Sequence, residues 1–278
     1  MTATARQEPL SGPAELEFAV LAVGLTKVFR GGKDQKVTPA VSDVSLYCRS
    51  GQVFGLLGPN GAGKTTTLRM LSTVLPPTLG TASVAGFSII RDPEHVRQHI
   101  GFLSGNTALY PRLSVRETLH FFGSLHGLGG EALERSIDMV LDSLDMRDYA
   151  DRRLETLSTG MAQKANIGRT LLHDPPVLIL DEPTIGLDVL GASAMIDFIE
   201  GMKHRGKCVI FSTHILSEAE RLCDQIGVLH AGRLYAIGTL DELRNRTGES
   251  YLDAVFKALV EEAVSEEARA GSPVRNWT

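Results

Sequence analysis

Eight consecutive residues fill every fixed position of the pattern G-x-x-x-x-G-K-[ST]. They are Gly58, Pro59, Asn60, Gly61, Ala62, Gly63, Lys64 and Thr65. Glycines in such a loop let the backbone close around phosphate groups, because no side chain stands in the way. The spacing therefore predicts a phosphate-binding loop, in which Lys64 reaches the β- and γ-phosphates of a nucleotide and the Thr65 hydroxyl holds Mg²⁺. The alternative is an ordinary glycine-rich turn.

The segments on either side of this loop agree with phosphate binding. Residues 53–57 form a short apolar run that predicts a buried strand, and residues 66–72 predict a helix. Because a helix N-terminus carries positive potential, a loop between a strand and a helix attracts anions. We therefore expect Thr66, the first residue of the predicted helix, to belong to the nucleotide site.

Two carboxylates supply the second half of the predicted site. Residues 177–180 are apolar and are followed directly by Asp181 and Glu182. A carboxylate at the end of a strand beside a phosphate loop holds Mg²⁺, usually through water, and we assign this role to Asp181. Glu182 points elsewhere and is the candidate that polarises an attacking water. Either acid taken alone could also be a surface charge at a strand end.

The remaining elements predict an α/β protein with a helical insert. From residue 177 onward strands and helices alternate, which favours a parallel sheet covered by helices. Before that, Ser114 and Glu117 form a capping box for a helix, and residues 90–157 are predicted as a mainly helical insert. Further strands are predicted at 16–23, 44–48, 81–84 and 100–103, a hairpin around 231–232, and closing helices at 240–246 and 252–260.

Composition limits the possible functions. The chain has 278 residues, a net charge of −5 and no run of Lys or Arg, so nothing in its charge suggests nucleic-acid binding. Its three cysteines form no CxxC pair and fit buried thiols in a reducing cytosol. Residues 70–90 carry no charge and are long enough to span a bilayer, but the pair Pro76-Pro77 would break the spanning helix. We predict a cytoplasmic chain with a disordered tail over residues 1–15.

Four further motifs carry a resemblance to a known family. Residues 157–161 read LSTGM, where that family has LSGGQ, residues 181–184 read DEPT, residues 186–188 read GLD, and residues 211–214 read FSTH. Over roughly residues 16–260 the chain resembles the ATP-binding subunit of an ABC transporter. The closing residues 241–249 resemble the ATPases of sodium and drug exporters of the NatA type.

The resemblance implies a fold and a division of the chain. The fold is that of an ABC-type P-loop NTPase, with a RecA-like parallel-sheet core, an antiparallel β subdomain and a helical insert. The ATP-binding domain would cover residues 16–250, and a C-terminal helix and tail would cover 251–278. The implied ligands are ATP and Mg²⁺.

The resemblance also assigns roles to residues outside the phosphate loop. Ser158 and the backbone of Gly160 would close over ATP held by a second copy of the chain, and Asp188 would organise the opposite site. Ser158 and Asp188 could instead be simple helix N-caps, and for Asp188 both readings are compatible. His214 would bond the γ-phosphate or the attacking water, and Phe29 would stack on adenine unless it is only a packing residue.

One position departs from the family pattern. The alignment puts Gly105 where the family has a glutamine that contacts Mg²⁺ and communicates with the membrane partner. Glycine has no side chain for either role, so the neighbouring Asn106 is the candidate substitute. A shifted alignment in this loop is the alternative.

The resemblance implies ATP hydrolysis that drives a separately encoded membrane permease, with this chain peripheral on the inner face of the membrane. A soluble ABC protein without transport is the main alternative, although such proteins carry two sets of motifs in one chain. A chromosome or DNA-repair ATPase would need long heptads, and a GTPase would need NKxD; neither occurs here. We predict no nucleic-acid partner.

Overall fold

The computed structural model describes residues 17–29, 39–104 and 109–269, with the backbone alone described for 266–269. Within these ranges the strands are β1 (Val20–Val28), β2 (Pro39–Cys48), β3 (Val53–Leu57), β4 (Leu79–Val84), β5 (Phe87–Ser88), β6 (Ile100–Ser104), β7 (Val177–Asp181), β8 (Cys208–Thr213), β9 (Gln225–His230) and β10 (Arg233–Gly238). The α-helices are α1 (Lys64–Leu71), α2 (Pro93–Gln98), α3 (Val115–Leu125), α4 (Gly130–Ser143), α5 (Thr159–Leu171), α6 (Val189–His204), α7 (Leu216–Leu222), α8 (Leu240–Thr247) and α9 (Leu252–Arg269).

A six-stranded sheet positions the predicted site. Its strand order is β10-β9-β3-β8-β7-β6, and all neighbours run parallel except the hairpin of β9 and β10. Every residue of β3, β7 and β8 is buried, as expected for parallel strands covered on both faces. The prediction of a parallel sheet covered by helices, followed by a terminal hairpin, is confirmed.

The second sheet is antiparallel, with the order β2-β1-β4-β5. Strand β1 begins at Val20, later than predicted, and both β1 and β2 extend past their predicted bounds at the other end, because Val28 pairs with Pro39 and prolongs the ladder past several register shifts. Apolar residues of this sheet share a core with α1 and with residues of β3, β7 and β8. Helix α1 therefore packs in the core that the two sheets share, with the phosphate loop at its N-terminus.

The helical layer begins later than the predicted insert at 90–157. Strand β6 lies within that range but pairs with β7 in the six-stranded sheet, since its apolar residues Ile100 and Leu103 are buried there. The predicted capping box is present at the start of α3. Glu117 N donates to Ser114 Oγ at 3.1 Å, and Ser114 N donates to Glu117 Oε2 at 2.8 Å. Helices α3 to α6 share one apolar core against the sheet.

Helices α7, α8 and α9 pack against the β9–β10 side of the sheet. Leu252, Val255 and Leu259 of α9 are buried there, and Ala263 continues the same face one turn further. Helix α9 consequently runs past its predicted end at residue 260. Among the described helices, none combines the length and apolarity needed to cross a bilayer. Residues 1–15, predicted as a tail, and residues 270–278 of the predicted C-terminal helix and tail lie outside the described residues.

Candidate active site

The phosphate loop joins β3 to α1 in the predicted way. Gly63, the N-cap of α1, has φ 104°, in the left-handed region that glycine tolerates. A Cβ at Gly58 would lie only 2.2 Å from Leu229 O of β9, so this position also requires glycine. The loop borders a pocket of about 180 Å³. It is lined by Ala40, Pro59, Asn60, Gly61, Ala62, Gly63, Lys64, Thr65, Thr66 and Glu182.

Lys64 is buried, with 4 % of its surface exposed, and its ammonium group faces the loop. Its Nζ donates to Gly58 O at 2.7 Å and to Pro59 O at 3.2 Å. Nζ also lies 3.2 Å from Glu182 Oε1, so the two charged groups form an ion pair inside the pocket. The structure thus brings together a predicted phosphate ligand and the predicted base.

Thr65 and Asp181 form the predicted metal-binding pair. Thr65 Oγ1 donates to Asp181 Oδ1 at 3.0 Å, and Ser212 Oγ donates to the same carboxylate oxygen at 2.7 Å. Asp181 ends β7 and lies opposite Ser212 in the parallel ladder with β8. Hydroxyl and carboxylate oxygens are the hard ligands that Mg²⁺ prefers, and they leave coordination positions for phosphate oxygens and water. The residues present therefore fit a magnesium site.

Glu182 follows β7 in an unusual backbone conformation. Its φ of 47° lies in the left-handed region, which costs a residue with a side chain about 1–3 kcal/mol and persists only where the surrounding structure holds the backbone there. Glu182 N donates to Ser212 Oγ at 3.0 Å, and Glu182 Oε1 lies 3.4 Å from His214 Nδ1. The predicted base and the predicted histidine are therefore adjacent, in a pocket that also holds Lys64.

Four buried polar residues without a predicted role lie around these groups. Ser212 and Thr213 end β8, and both hydroxyls are buried at the carboxyl edge of the sheet. Polar residues at the end of an apolar strand are a signal that could have found them. Thr184 and Glu218 are also buried, although the sequence of α7 gives Glu218 the appearance of a surface residue.

Three predicted nucleotide contacts lie away from this pocket. Ser158 caps α5, with Met161 N donating to Ser158 Oγ at 3.3 Å, and Asp188 Oδ1 accepts from Gly191 N at 2.7 Å. Both residues are therefore helix N-caps, and their roles toward the ATP of a second copy stay predictions. Gly160 lines a different cleft, of about 770 Å³, between α5 and α6. Among the described residues, none of these three lines the phosphate pocket.

Phe29 directly follows strand β1. The last residue of β1, Val28, pairs with Pro39 of β2, and the residue after Pro39, Ala40, lines the phosphate pocket. The Phe29 ring is half exposed and lies 5.6 Å from Lys27 Nζ. Its stacking on adenine stays a prediction. Gly105 and Asn106 lie outside the described residues.

Comparison with known proteins agrees with the geometry. The family model "ABC transporter" matches residues 41–185. The ABC transporter ATP-binding protein NatA of Bacillus subtilis is 39 % identical over 245 residues, which is 87 % of this chain and 100 % of that protein. The daunorubicin resistance ATP-binding protein DrrA3 of Streptomyces coeruleorubidus is 39 % identical over 78 % of this chain and 69 % of its own length.

A solved structure described as the ATP binding subunit of an ABC transporter superposes with a TM-score of 0.76 and 31 % identity. The match covers 87 % of this chain and 99 % of that one. The chain belongs to the ABC transporter family. It is an ATP-binding protein and an ATPase of that family, with the P-loop fold that the sequence predicted.

Proposed function

We propose that this chain is the subunit that binds and hydrolyses ATP to power export through a separately encoded membrane permease, on the inner face of the membrane. One observation carries the catalytic part of the proposal. Lys64 Nζ, Glu182 Oε1 and His214 Nδ1 meet beside the Thr65–Asp181 pair at the mouth of the phosphate loop. Export as the direction of transport is supported by the relative named for daunorubicin resistance.

In this proposal the chain's own groups divide the work between binding and hydrolysis. Lys64 binds the β- and γ-phosphates, because its ammonium is a buried point charge already directed at the loop. The loop and Thr66 add N–H donors at the start of α1, where a helix has no internal acceptors for them. Thr65 and Asp181 hold Mg²⁺, which when bound offsets the charge on the phosphate oxygens.

Glu182 accepts a proton from the attacking water, or orients that water, and His214 supports it from 3.4 Å away. The ion pair with Lys64 keeps the Glu182 carboxylate in the pocket. When phosphate oxygens replace the carboxylate as the partner of the ammonium, Glu182 is left facing the water.

The proposed second partner is another copy of the chain. Ser158 and Gly160 lie at the start of α5 but do not line the chain's own phosphate pocket. Beside Asp188, two apolar residues are largely exposed, Val189 by 85 % and Leu190 by 80 %. An exposed apolar pair next to a polar cap is typical of a surface that becomes covered in an assembly. We propose that Ser158, Gly160 and Asp188 complete the ATP site of the opposite copy.

Communication with the permease is proposed to run through the loop of Gly105 and Asn106. A water molecule can replace the missing glutamine oxygen on Mg²⁺, since this ion readily keeps water ligands. Asn106→Ala, Gly105→Gln and the double variant test the loop through ATP turnover with and without the permease. If Asn106 substitutes for the glutamine, its loss lowers only permease-stimulated turnover, and Gln at position 105 restores part of it.

The experiment on the whole proposal expresses the chain with a neighbouring gene product whose hydropathy predicts several membrane spans. ATP turnover is measured in proteoliposomes with and without that protein, for wild type and Glu182→Gln. We expect the membrane protein to stimulate wild-type turnover and not the variant. Turnover that no such membrane protein changes would instead favour an ABC ATPase without transport.

A further inference from the structure

A buried carboxylate connects the segments that carry Glu182 and His214. Glu218, on α7, is 4 % exposed, and each of its carboxylate oxygens accepts one threonine hydroxyl. Thr184 Oγ1 donates to Glu218 Oε1 at 2.5 Å, and Thr213 Oγ1 donates to Glu218 Oε2 at 2.6 Å. These distances are those of a hydroxyl bonded to a charged carboxylate, which is the stronger class of hydrogen bond.

Each of the two threonines lies close in the chain to one of the two proposed catalytic residues. Thr184 lies two residues after Glu182, in the turn where Ile185 N donates to Glu182 O at 3.2 Å. Thr213 directly precedes His214. The Thr213 oxygen also accepts Ile215 N at 2.9 Å, so the residues on both sides of His214 are held by one hydroxyl. A hydroxyl group has one proton. Because the Thr213 hydroxyl uses this proton in its hydrogen bond to Glu218, its oxygen can act only as an acceptor toward Ile215 N.

Helix α7 supplies the rigidity that such a bridge needs. Ala219 and Leu222 are buried, and α7 packs against β3, β8 and α9. The carboxylate of Glu218 therefore lies at a fixed position between the ends of β7 and β8. The backbone at Glu182 is in the left-handed region and needs its surroundings to hold it there. Ser212 holds it through the Glu182 N–H, and Glu218 holds the turn that follows.

From this geometry we infer that Glu218 is a positioning residue for hydrolysis. It fixes the two segments whose side chains bring Glu182 Oε1 to 3.4 Å from His214 Nδ1, and it is not among the residues that line the phosphate pocket. The inference rests on the proposed roles of Glu182 and His214. The proposed role of the buried Glu218 is to position these two segments, which is a different role from stabilising α7.

The test replaces each hydroxyl without changing the shape of the side chain. Thr184→Val and Thr213→Val remove the bonds to Glu218, whereas Thr184→Ser and Thr213→Ser restore a hydroxyl. We expect the valine variants to lower kcat for ATP hydrolysis roughly tenfold to hundredfold, since a misplacement of 1 Å can cost about 10²-fold. The dissociation constant for ATP should stay within about threefold, because these residues lie outside the phosphate loop. The serine variants should recover most of kcat.

A second readout follows the geometry without relying on turnover. The imidazole signals of His214 are assigned by comparing histidine-labelled wild type with His214→Gln by NMR. We expect the His214 signal to shift in Thr213→Val, Thr184→Val and Glu218→Gln, and to return toward its wild-type position in the serine variants. All spectra and rates are taken well below each variant's unfolding midpoint, which is measured by circular dichroism.

Glu220→Gln is the matched control on the same helix. Glu220 is 38 % exposed and pairs with Arg244 at 3.3 Å, so its loss tests whether any charge removed from α7 has the same effect. We expect wild-type kcat and an unshifted His214 signal. Glu218→Gln should lower kcat, because its amide offers one acceptor oxygen where the carboxylate offers two.

The outcomes separate this inference from the proposed function. If Glu182→Gln hydrolyses ATP at the wild-type rate, the proposed base is wrong, and the His214 signals still decide whether Glu218 positions this segment. If Glu182→Gln is inactive while both valine variants keep wild-type kcat and His214 signals, the inference about Glu218 is overturned and the proposed function stands. An equal loss of kcat in the valine and serine variants would also overturn it, because the hydroxyl would then be irrelevant.

Discussion

Lys64 Nζ lies 3.2 Å from Glu182 Oε1, so the cation expected to bind phosphate is paired with the carboxylate expected to activate water. The side chain of Lys64 is 4 % exposed and that of Glu182 is 18 % exposed, so water screens this pair only partly. Phosphate oxygens and Glu182 therefore compete for one ammonium group.

Removing the charge of Glu182 should separate binding from hydrolysis. In Glu182→Gln the ammonium of Lys64 is free for phosphate, so we expect ATP to bind at least as tightly as in wild type. Turnover should fall by about 10²–10⁴-fold, the usual contribution of a general base. Lys64→Ala should lose ATP binding itself. Equilibrium binding of a fluorescent ATP analogue and steady-state phosphate release measure the two effects.

Lys257→Ala provides the control for this pair of variants. The side chain of Lys257 is 76 % exposed, and its Nζ lies 3.8 Å from Glu261 Oε1 on the same helix, which is a long distance for an ion pair. Because exposed ion pairs contribute little, removing Lys257 should change neither measurement. Weaker ATP binding in Glu182→Gln than in wild type would contradict the competition between phosphate and carboxylate.

Gly58 should tolerate no side chain. In Gly58→Ala the new Cβ would meet the backbone oxygen of Leu229 at 2.2 Å, so either the loop or β9 must move. We expect a loss of stability of about 1–3 kcal/mol, typical of overpacking, together with weaker ATP binding. Gly201 lies in the interior of α6, and a Cβ added there would meet no heavy atom within 4 Å outside the neighbouring backbone of its own helix. Gly201→Ala should therefore stabilise the chain by up to about 1 kcal/mol. Urea unfolding and ATP titration of both variants check this, and wild-type stability in Gly58→Ala would show that the contact is easily relieved.

Two inactive variants should restore one active site when they are mixed. Ser158→Arg disrupts the N-terminus of α5, and Lys64→Ala disrupts the phosphate loop. If ATP lies between two copies, a mixed dimer contains one site with both residues intact. We expect measurable phosphate release from verified mixed dimers and almost none from either variant alone.

A control mixture uses Ser158→Arg with the double variant Ser158→Arg/Lys64→Ala. It offers no intact Ser158, so it should stay inactive. Failure of the first mixture, in mixed dimers verified by two affinity tags, would argue that each copy hydrolyses ATP without its partner.

His173 should make the stability of the chain depend on pH. Burial, together with the neighbouring His126, which is stacked with ring centroids 3.7 Å apart, lowers the pKa of His173 to about 4. Between about pH 6.5 and pH 4 the unfolded chain then binds more protons at this residue than the folded chain does. This contribution is fully present above the unfolded pKa near 6.5 and is lost as pH falls toward about 4.

His173→Gln removes the titration and keeps an N–H donor for Ile100 O, which His173 Nε2 contacts at 3.0 Å. We expect the free energy of unfolding of the variant to fall less steeply over this range, by up to about 1.4 kcal/mol per pH unit for one proton. Urea unfolding at pH 7.5, 6.0 and 5.0 measures the slopes, with the partly exposed His120→Gln as control. Identical slopes in wild type and His173→Gln would contradict the prediction.

The local motifs were readable from the sequence because their physics is local. A glycine loop between an apolar strand and a helix directs backbone N–H groups toward an anion through its local geometry, and β3, α1 and the loop lie where the pattern predicts. The same holds for Asp181, which ends β7 after four apolar residues, and for Glu182, which follows it. Element bounds were less accurate, since pairing and packing extend β1, β2 and α9 beyond their local signals.

Only the tertiary structure decided which of these residues meet. Strand β8 lies between β3 and β7, and this order places Ser212 beside Asp181 and His214 beside Glu182. The burial of Glu218 follows from the packing of α7 against β3 and β8, which the sequence of α7 does not encode. Strand order arises from contacts between residues far apart in the chain, whereas a motif reports only on its neighbours.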